Sequence, residues 1–294
     1  MKLLRCLKYE FKSMVMQSEF LFAFILCCLL SLLTLGIPSR HYIPEYSITA
    51  PSPEQCSFLY NNPYGKLLYQ YICPILASIP VACSYFKEKK NGMDALLIPT
   101  CGRANYILAK VLMTFLTGFF ISILPFIIGM LYAEFAYPRN ELVAFLSPMI
   151  YEGLFAYHPN ENIFGQLMLT HPALDHFLHI SLVGLWSAGA ALLTLGISFF
   201  FRKHYIINLL LGTLILLFAV MLLNALELYP FNPQEYFQYK SVQLALEYTP
   251  NSSHFPDIRV VELSARALIT SYSVLYGACA AFIAAHLIKH RDII

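Results

Sequence analysis

Residues 107 to 133 read ILAKVLMTFLTGFFISILPFIIGMLYA, with a single charge in the run. About 20 apolar residues are enough for a helix to cross the hydrocarbon core of a bilayer. Five further stretches qualify: roughly 20–37, 67–86, 177–201, 205–226 and 267–288. The third and fourth of the six are long enough to tilt or to extend past the membrane. With a mean hydropathy of +0.61 and 12% charged residues, against about 25% in soluble domains, the chain is an integral membrane protein. The expected fold class is an all-α membrane protein with six transmembrane helices, forming one domain over residues 1–294.

Orientation follows from Lys and Arg. With the N-terminus in the cytoplasm, the inner segments carry Lys2, Arg5, Lys8, Lys12, Lys87, Lys89, Lys90, Arg103, Lys110, Arg202, Lys203, Lys289 and Arg291, which is 13 of the 19 basic residues. The outer loops, 38–66, 134–176 and 227–266, hold the other six basic residues and 12 of the 17 acidic ones. Both termini are therefore expected inside. The stretch ELVAFLSPMIYEGLFAY, residues 141–157, contains Pro148, Glu152 and Gly153 and is short. A seventh crossing there would put Arg202, Lys203, Lys289 and Arg291 outside, so an external interfacial or re-entrant helix is expected instead.

The first 12 residues spread their basic groups along the chain, and no small-residue cleavage site follows the first apolar stretch, so they do not form a secretory signal. On a helical wheel Leu3, Leu4, Leu7, Phe11, Met14 and Val15 fall on one side, with Arg5, Lys8 and Lys12 beside them. An amphipathic helix over residues 1–18 is expected at the inner membrane surface, with Arg5, Lys8, Phe11 and Lys12 as its interfacial contacts. A helix packed against other protein is the alternative.

Within the central parts of the six stretches there is no Asp, Glu, Lys, Arg or His; Glu19 and His286 stand at ends. Ion-coupled carriers usually keep ionisable groups at depth, so a proton-driven carrier is disfavoured. Small residues recur at helical spacing, Gly184 with Ala188 and Gly277 with Ala281 and Ala285, which lets helices approach within the chain or between subunits. Pro74, Pro80 and Pro125 are expected to bend the second and third spans. Of the eight Cys, Cys56 is the one in a clearly external loop, so no disulfide framework is inferred.

Catalytic patterns are missing: there is no H-E-x-x-H, Cys-x-x-Cys or G-x-S-x-G. External His158, His171, Asp175, His176 and His179 leave a metal site open, with Asp175 and His179 on one helical face. The Gly65–Lys66 pair lacks the upstream Gly of a phosphate-binding loop. ATP, if used, binds another chain, and no cofactor is expected in this one.

Residues 86–110, FKEKKNGMDALLIPTCGRANYILAK, join the second and third spans. Spaced out, the pattern is E-x3-G-x3-L-L-x-P-x3-R-x2-Y-x3-K, running from Glu88 through Gly92, Leu96, Leu97, Pro99, Arg103 and Tyr106 to Lys110. A positive-inside loop explains the Lys cluster but not this order. The pattern resembles the first inner loop of permease subunits of type-2 ATP-binding-cassette (ABC-2 type) exporters. The resemblance also takes in the N-terminal amphipathic helix, the six-span order and the inward termini. It departs from the family at Cys101 and Gly102, before Arg103, where a small hydroxyl residue is frequent; Thr100 is the nearest substitute.

Read physically, Gly92 lets the backbone turn, Met93 to Ile98 form a short helix with Met93, Leu96 and Leu97 as its apolar edge, and Pro99 stops it. The resemblance implies that this is a coupling helix seated in a nucleotide-binding subunit. Arg103 and Lys110 are then expected to face lipid phosphates or acidic groups of that partner, and Glu88 to pair with a nearby cation. The implied partners are an ABC ATPase subunit carrying the ATP, a second permease chain, identical or related, and membrane lipid, with no nucleic acid. The implied function is half of an export pathway, in a bacterial cell membrane, for an amphipathic or hydrophobic substrate such as a lipid, peptide antibiotic or drug. A membrane scaffold or sensor subunit without transport of its own is the alternative reading.

Overall fold

The computed structural model describes residues 2–40, 68–136, 167, 171–200, 205–228, 231–236 and 258–289. Among them are eight α-helices and no strand: α1 (Lys2–Val15), α2 (Ser18–Arg40), α3 (Cys73–Lys90, entered through a π-helical turn Leu68–Ile72), α4 (Met93–Cys101), α5 (Arg103–Ala136), α6 (Pro172–Ser198), α7 (Tyr205–Ala225) and α8 (Ile258–Lys289). A single 3-10 turn, Pro233–Tyr236, stands between the last two.

Each of the six apolar stretches carries a helix. Four runs are long and apolar enough to cross a membrane: Leu68–Lys90, Arg103–Tyr132, Ala173–Ser198 and Ala265–Leu287. A fifth is obtained if the pair Lys2–Val15 and Ser18–Leu33, bent by 59°, counts as one span. The apolar segment Leu211–Ala225 of α7 is shorter. The protein is thus an all-helical, multi-pass membrane protein. The stretch 141–157 and most of the long connections 38–66, 134–176 and 227–266 lie outside the described residues.

Helix α6 is the hub, packed against α3, α5, α7 and α8. Small residues make that possible, because they let backbones approach where no hydrophobic force drives helices together in lipid. A Cβ added at Gly118 on α5 would lie 3.0 Å from the Ala191 Cβ and 3.1 Å from the Ala188 Cα; one at Gly212 on α7 would lie 2.4 Å from the Thr194 hydroxyl. Two tyrosines fasten α8 to the hub, the Tyr272 and Tyr276 hydroxyls each donating over 2.8 Å to the carbonyls of Leu182 and Leu185. The two small-residue series therefore differ in use. Gly184 and Ala188 are internal packing positions, whereas Gly277 meets nothing within 4 Å and Ala281 and Ala285 are exposed.

Helix α3 runs unbroken past Pro80 and α5 past Pro125, while Pro74 falls in the first turn of α3, where its missing N–H would have no helical partner. Just before α3, in its π-helical entry turn, Gln70 exchanges amide bonds with Gln234, each Nε2 donating to the other's backbone carbonyl over 3.4 and 3.1 Å. The pair ties the 3-10 turn to the start of α3 and satisfies both buried side-chain amide nitrogens.

Candidate functional site

Three helices meet where α1, the end of α3 and the start of α5 come together, and each brings a series at four-residue spacing. Residues four apart lie on one helix face. Helix α1 turns Cys6, Glu10 and Met14 inward, α3 supplies Ser84 and Glu88, and α5 supplies Tyr106 and Lys110. Glu10 and Lys110 are fully buried and Glu88 nearly so.

One ammonium serves two carboxylates. Lys110 Nζ donates to Glu10 Oε1 and Oε2 over 3.3 and 3.2 Å and also to Glu88 Oε2. Glu88 takes three further hydrogen bonds, from Ser13 (3.1 Å), Ser84 (3.2 Å) and the Tyr106 hydroxyl (2.8 Å). The rings of Tyr106 and Tyr85 lie 5.3 and 5.7 Å from the Lys110 nitrogen, within cation–π reach. Buried charge is tolerated only when paired and hydrogen-bonded, and this cluster meets both conditions for Lys110 and Glu88. Among the described residues Glu10 has Lys110 alone. Burial pushes its carboxyl up to about 7, against the lowering effect of Lys110 and with a further rise from Glu88.

Directly beyond the cluster is the loop helix α4. Gly92, at φ +66°, turns the chain into it, and Gly102, at φ +85°, turns it out again into α5. Such φ values disfavour any residue with a Cβ. Helix α4 runs through Pro99 to Cys101, so the expected stop at Pro99 is corrected: the stop is Gly102. Its N–H bonds the Ile98 carbonyl (2.9 Å), and the Asn105 side-chain amide takes the Cys101 carbonyl (2.9 Å), so the helix end is satisfied.

The outer side of α4 is open. Leu96 is 66% exposed, Pro99 and Gly92 are exposed, and Met93 and Leu97 are half-buried. Its other side rests on α1, where Cys6, Cys101 and Ala109 form a small core with Leu3 and Leu7. Cys101 is a buried contact of α1, Gly102 is the turn, and the Thr100 hydroxyl donates back to the Leu96 and Leu97 carbonyls.

The sequence-predicted residues fall into two groups. Glu88 pairs with Lys110, as a cation partner was expected for it. Lys110 itself is corrected: it is buried in the junction and does not face lipid or a partner. Arg103 is half-buried at the head of α5. On α1, Arg5, Lys8, Phe11 and Lys12 are all exposed, as is Leu4, while the buried stripe is Cys6, Glu10 and Met14. One face of α1 thus packs on protein, and the face with Arg5, Lys8, Phe11 and Lys12 is exposed.

Sequence reasoning passed over Glu10. The available signal was its place between Cys6 and Met14, one helical turn from each. At the far end of the molecule His179 donates from Nδ1 to the Asp175 carbonyl (3.0 Å), with the Asp175 carboxylate 3.6 Å away. Among the described residues no three His, Cys, Asp or Glu side chains are arranged to hold a metal, and His158 lies outside them. Comparison with protein-family models, curated proteins and solved structures finds no match for this chain.

Proposed function

We propose that this chain is the membrane-spanning permease subunit of an ATP-driven exporter of the type-2 ABC class. Its observed four to five candidate spans would become six with α2 and α7 as separate crossings, both termini inside and α1 along the inner surface. The observation that carries the reading is α4. It is a nine-residue helix between two apolar helices, set off by two glycines at positive φ, with an exposed leucine on its outer side. A short helix held in that way suits a cleft on an ATPase subunit, and the buried cluster below it suits the transmission of force to α3 and α5.

Two permease chains, identical or related, would pair and bind two ATPase subunits. ATP binding would draw the ATPases together and move both α4 helices, shifting the paired spans between inward-open and outward-open arrangements as rigid bodies. A pathway lined by Phe, Tyr and Leu rather than charges fits an amphipathic or hydrophobic cargo.

The test is co-purification from the native host in mild detergent, comparing wild type with Leu96→Glu plus Leu97→Glu. An ATP-binding-cassette ATPase in stoichiometric amount, lost from the double variant, is the expected result. Absence of an ATPase from wild-type preparations in several detergents would remove the proposal and leave a scaffold or sensor subunit as the better reading.

A further inference from the structure

The junction holds two buried carboxylates and one ammonium, and the two carboxylates are not equivalent. Among the described residues Glu88 accepts from Ser13, Ser84, Tyr106 and Lys110, whereas Glu10 accepts from Lys110 alone. With both ionised, the buried group carries one negative charge in excess, the more costly state in a low-dielectric interior. We propose that Glu10 is a proton-binding site: docking of α1 onto α3 and α5 takes up one proton from water on the Glu10 carboxyl, so that acid tightens this helix and alkali loosens it.

Among the described residues, the titratable side chains turned toward this junction come from four helices. Helix α3 presents Glu88 and Tyr85, α5 presents Lys110 and Tyr106, α4 presents Cys101, and α1 itself carries Cys6 and Tyr9. From α2 the nearest charge, Glu19, is occupied with Lys87. Burial first, and then Cys101 and Glu10, push the Cys6 thiol up to about 12; burial and the two carboxylates raise Tyr9. Neither of these two α1 neighbours releases a proton near neutrality.

The sign follows from linkage. Burial raises Glu10 from its ordinary 4.5 to about 7, so the docked helix binds the proton more tightly than the undocked one. That advantage is complete below about 4.5 and is lost as pH rises through about 7. Between pH 5.5 and 8.5 the ratio of docked to undocked α1 falls about thirty-fold. The effect reaches α4, because Cys6, one turn from Glu10, packs on Cys101 at the end of that helix. The inference concerns this chain alone and does not depend on its transporting anything.

The experiment uses the full chain in nanodiscs of zwitterionic lipid. Hydrogen exchange of α1 peptides, corrected for the intrinsic rate, should speed up about thirty-fold from pH 5.5 to 8.5 in wild type, with a midpoint near 7. In Glu10→Gln, which imitates the protonated group, α1 should stay protected throughout. Infrared spectra should show a protonated-carboxyl band in wild type that disappears over the same range and is missing from the variant. Level wild-type protection, or a titrating band that persists in Glu10→Gln, would overturn the proposal. The wild-type exchange profile decides the matter even where the variant folds poorly.

Discussion

Lys110 and Lys87 show how differently two lysines on neighbouring elements behave. Lys87 meets Glu19 at the surface, with its side chain 48% exposed, where an ion pair contributes about 0–1 kcal/mol. Lys110, by contrast, is the only cation among the described residues that lies between two buried carboxylates. Replacing it by Met leaves Glu10 and Glu88 facing one another, at a cost of about 3–5 kcal/mol. Thermal unfolding in detergent should therefore show a large drop in Tm for Lys110→Met and little change for Lys87→Met. Equal effects would mean that the cluster is not what holds the junction. This contrast was only half legible in the sequence. Both lysines count equally in a positive-inside tally, and which of them turns inward depends on Glu10, 100 residues before Lys110 in the chain, which no local pattern connects to them.

At the scale of elements, the helices were the readable part. Apolar runs locate α2, α3, α5, α6 and α7 to within about half a dozen residues, because lipid requires the backbone to bond within each segment, whereas α8 begins at Ile258, nine residues before the expected 267 and within the stretch expected as an outer loop. Their ends were less readable where a proline invited a stop. Pro99 did not end α4; the backbone conformation at Gly102 did what Pro99 was expected to do. At φ +85° and ψ 140° Gly102 occupies a region other residues enter only with strain, costing about 1–3 kcal/mol. Gly92, at φ +66° and ψ 17°, lies in the left-handed helical region, and a Cβ there meets no atom within 4 Å, so its penalty is about 1–2 kcal/mol. Gly102→Ala should accordingly lower Tm at least as much as Gly92→Ala. It should also expose the Cys101 thiol, otherwise buried on Cys6, to maleimide. Unchanged Cys101 labelling would show that the turn is not what seats α4 against α1.

For the whole molecule, the structure separates a built interior from faces that the other described residues leave uncovered. Helix α6 collects α3, α5, α7 and α8 through small residues and tyrosine hydroxyls, whereas most of α8 and the outer side of α4 are left uncovered. An exposed apolar helix in a membrane protein needs only lipid. The exposed leucine of α4 is different, since it lies in a connection between spans and beside the charged cluster. The proposed coupling role rests on that position, and the most direct measurement places a photo-crosslinking residue at Leu96, with Phe135 as the control, and irradiates native membranes with and without ATP. An adduct of Leu96 with an ATP-binding-cassette ATPase, absent at Phe135, is the predicted result. Leu96 adducts with lipid alone, or the same protein adducts at both positions, would contradict it.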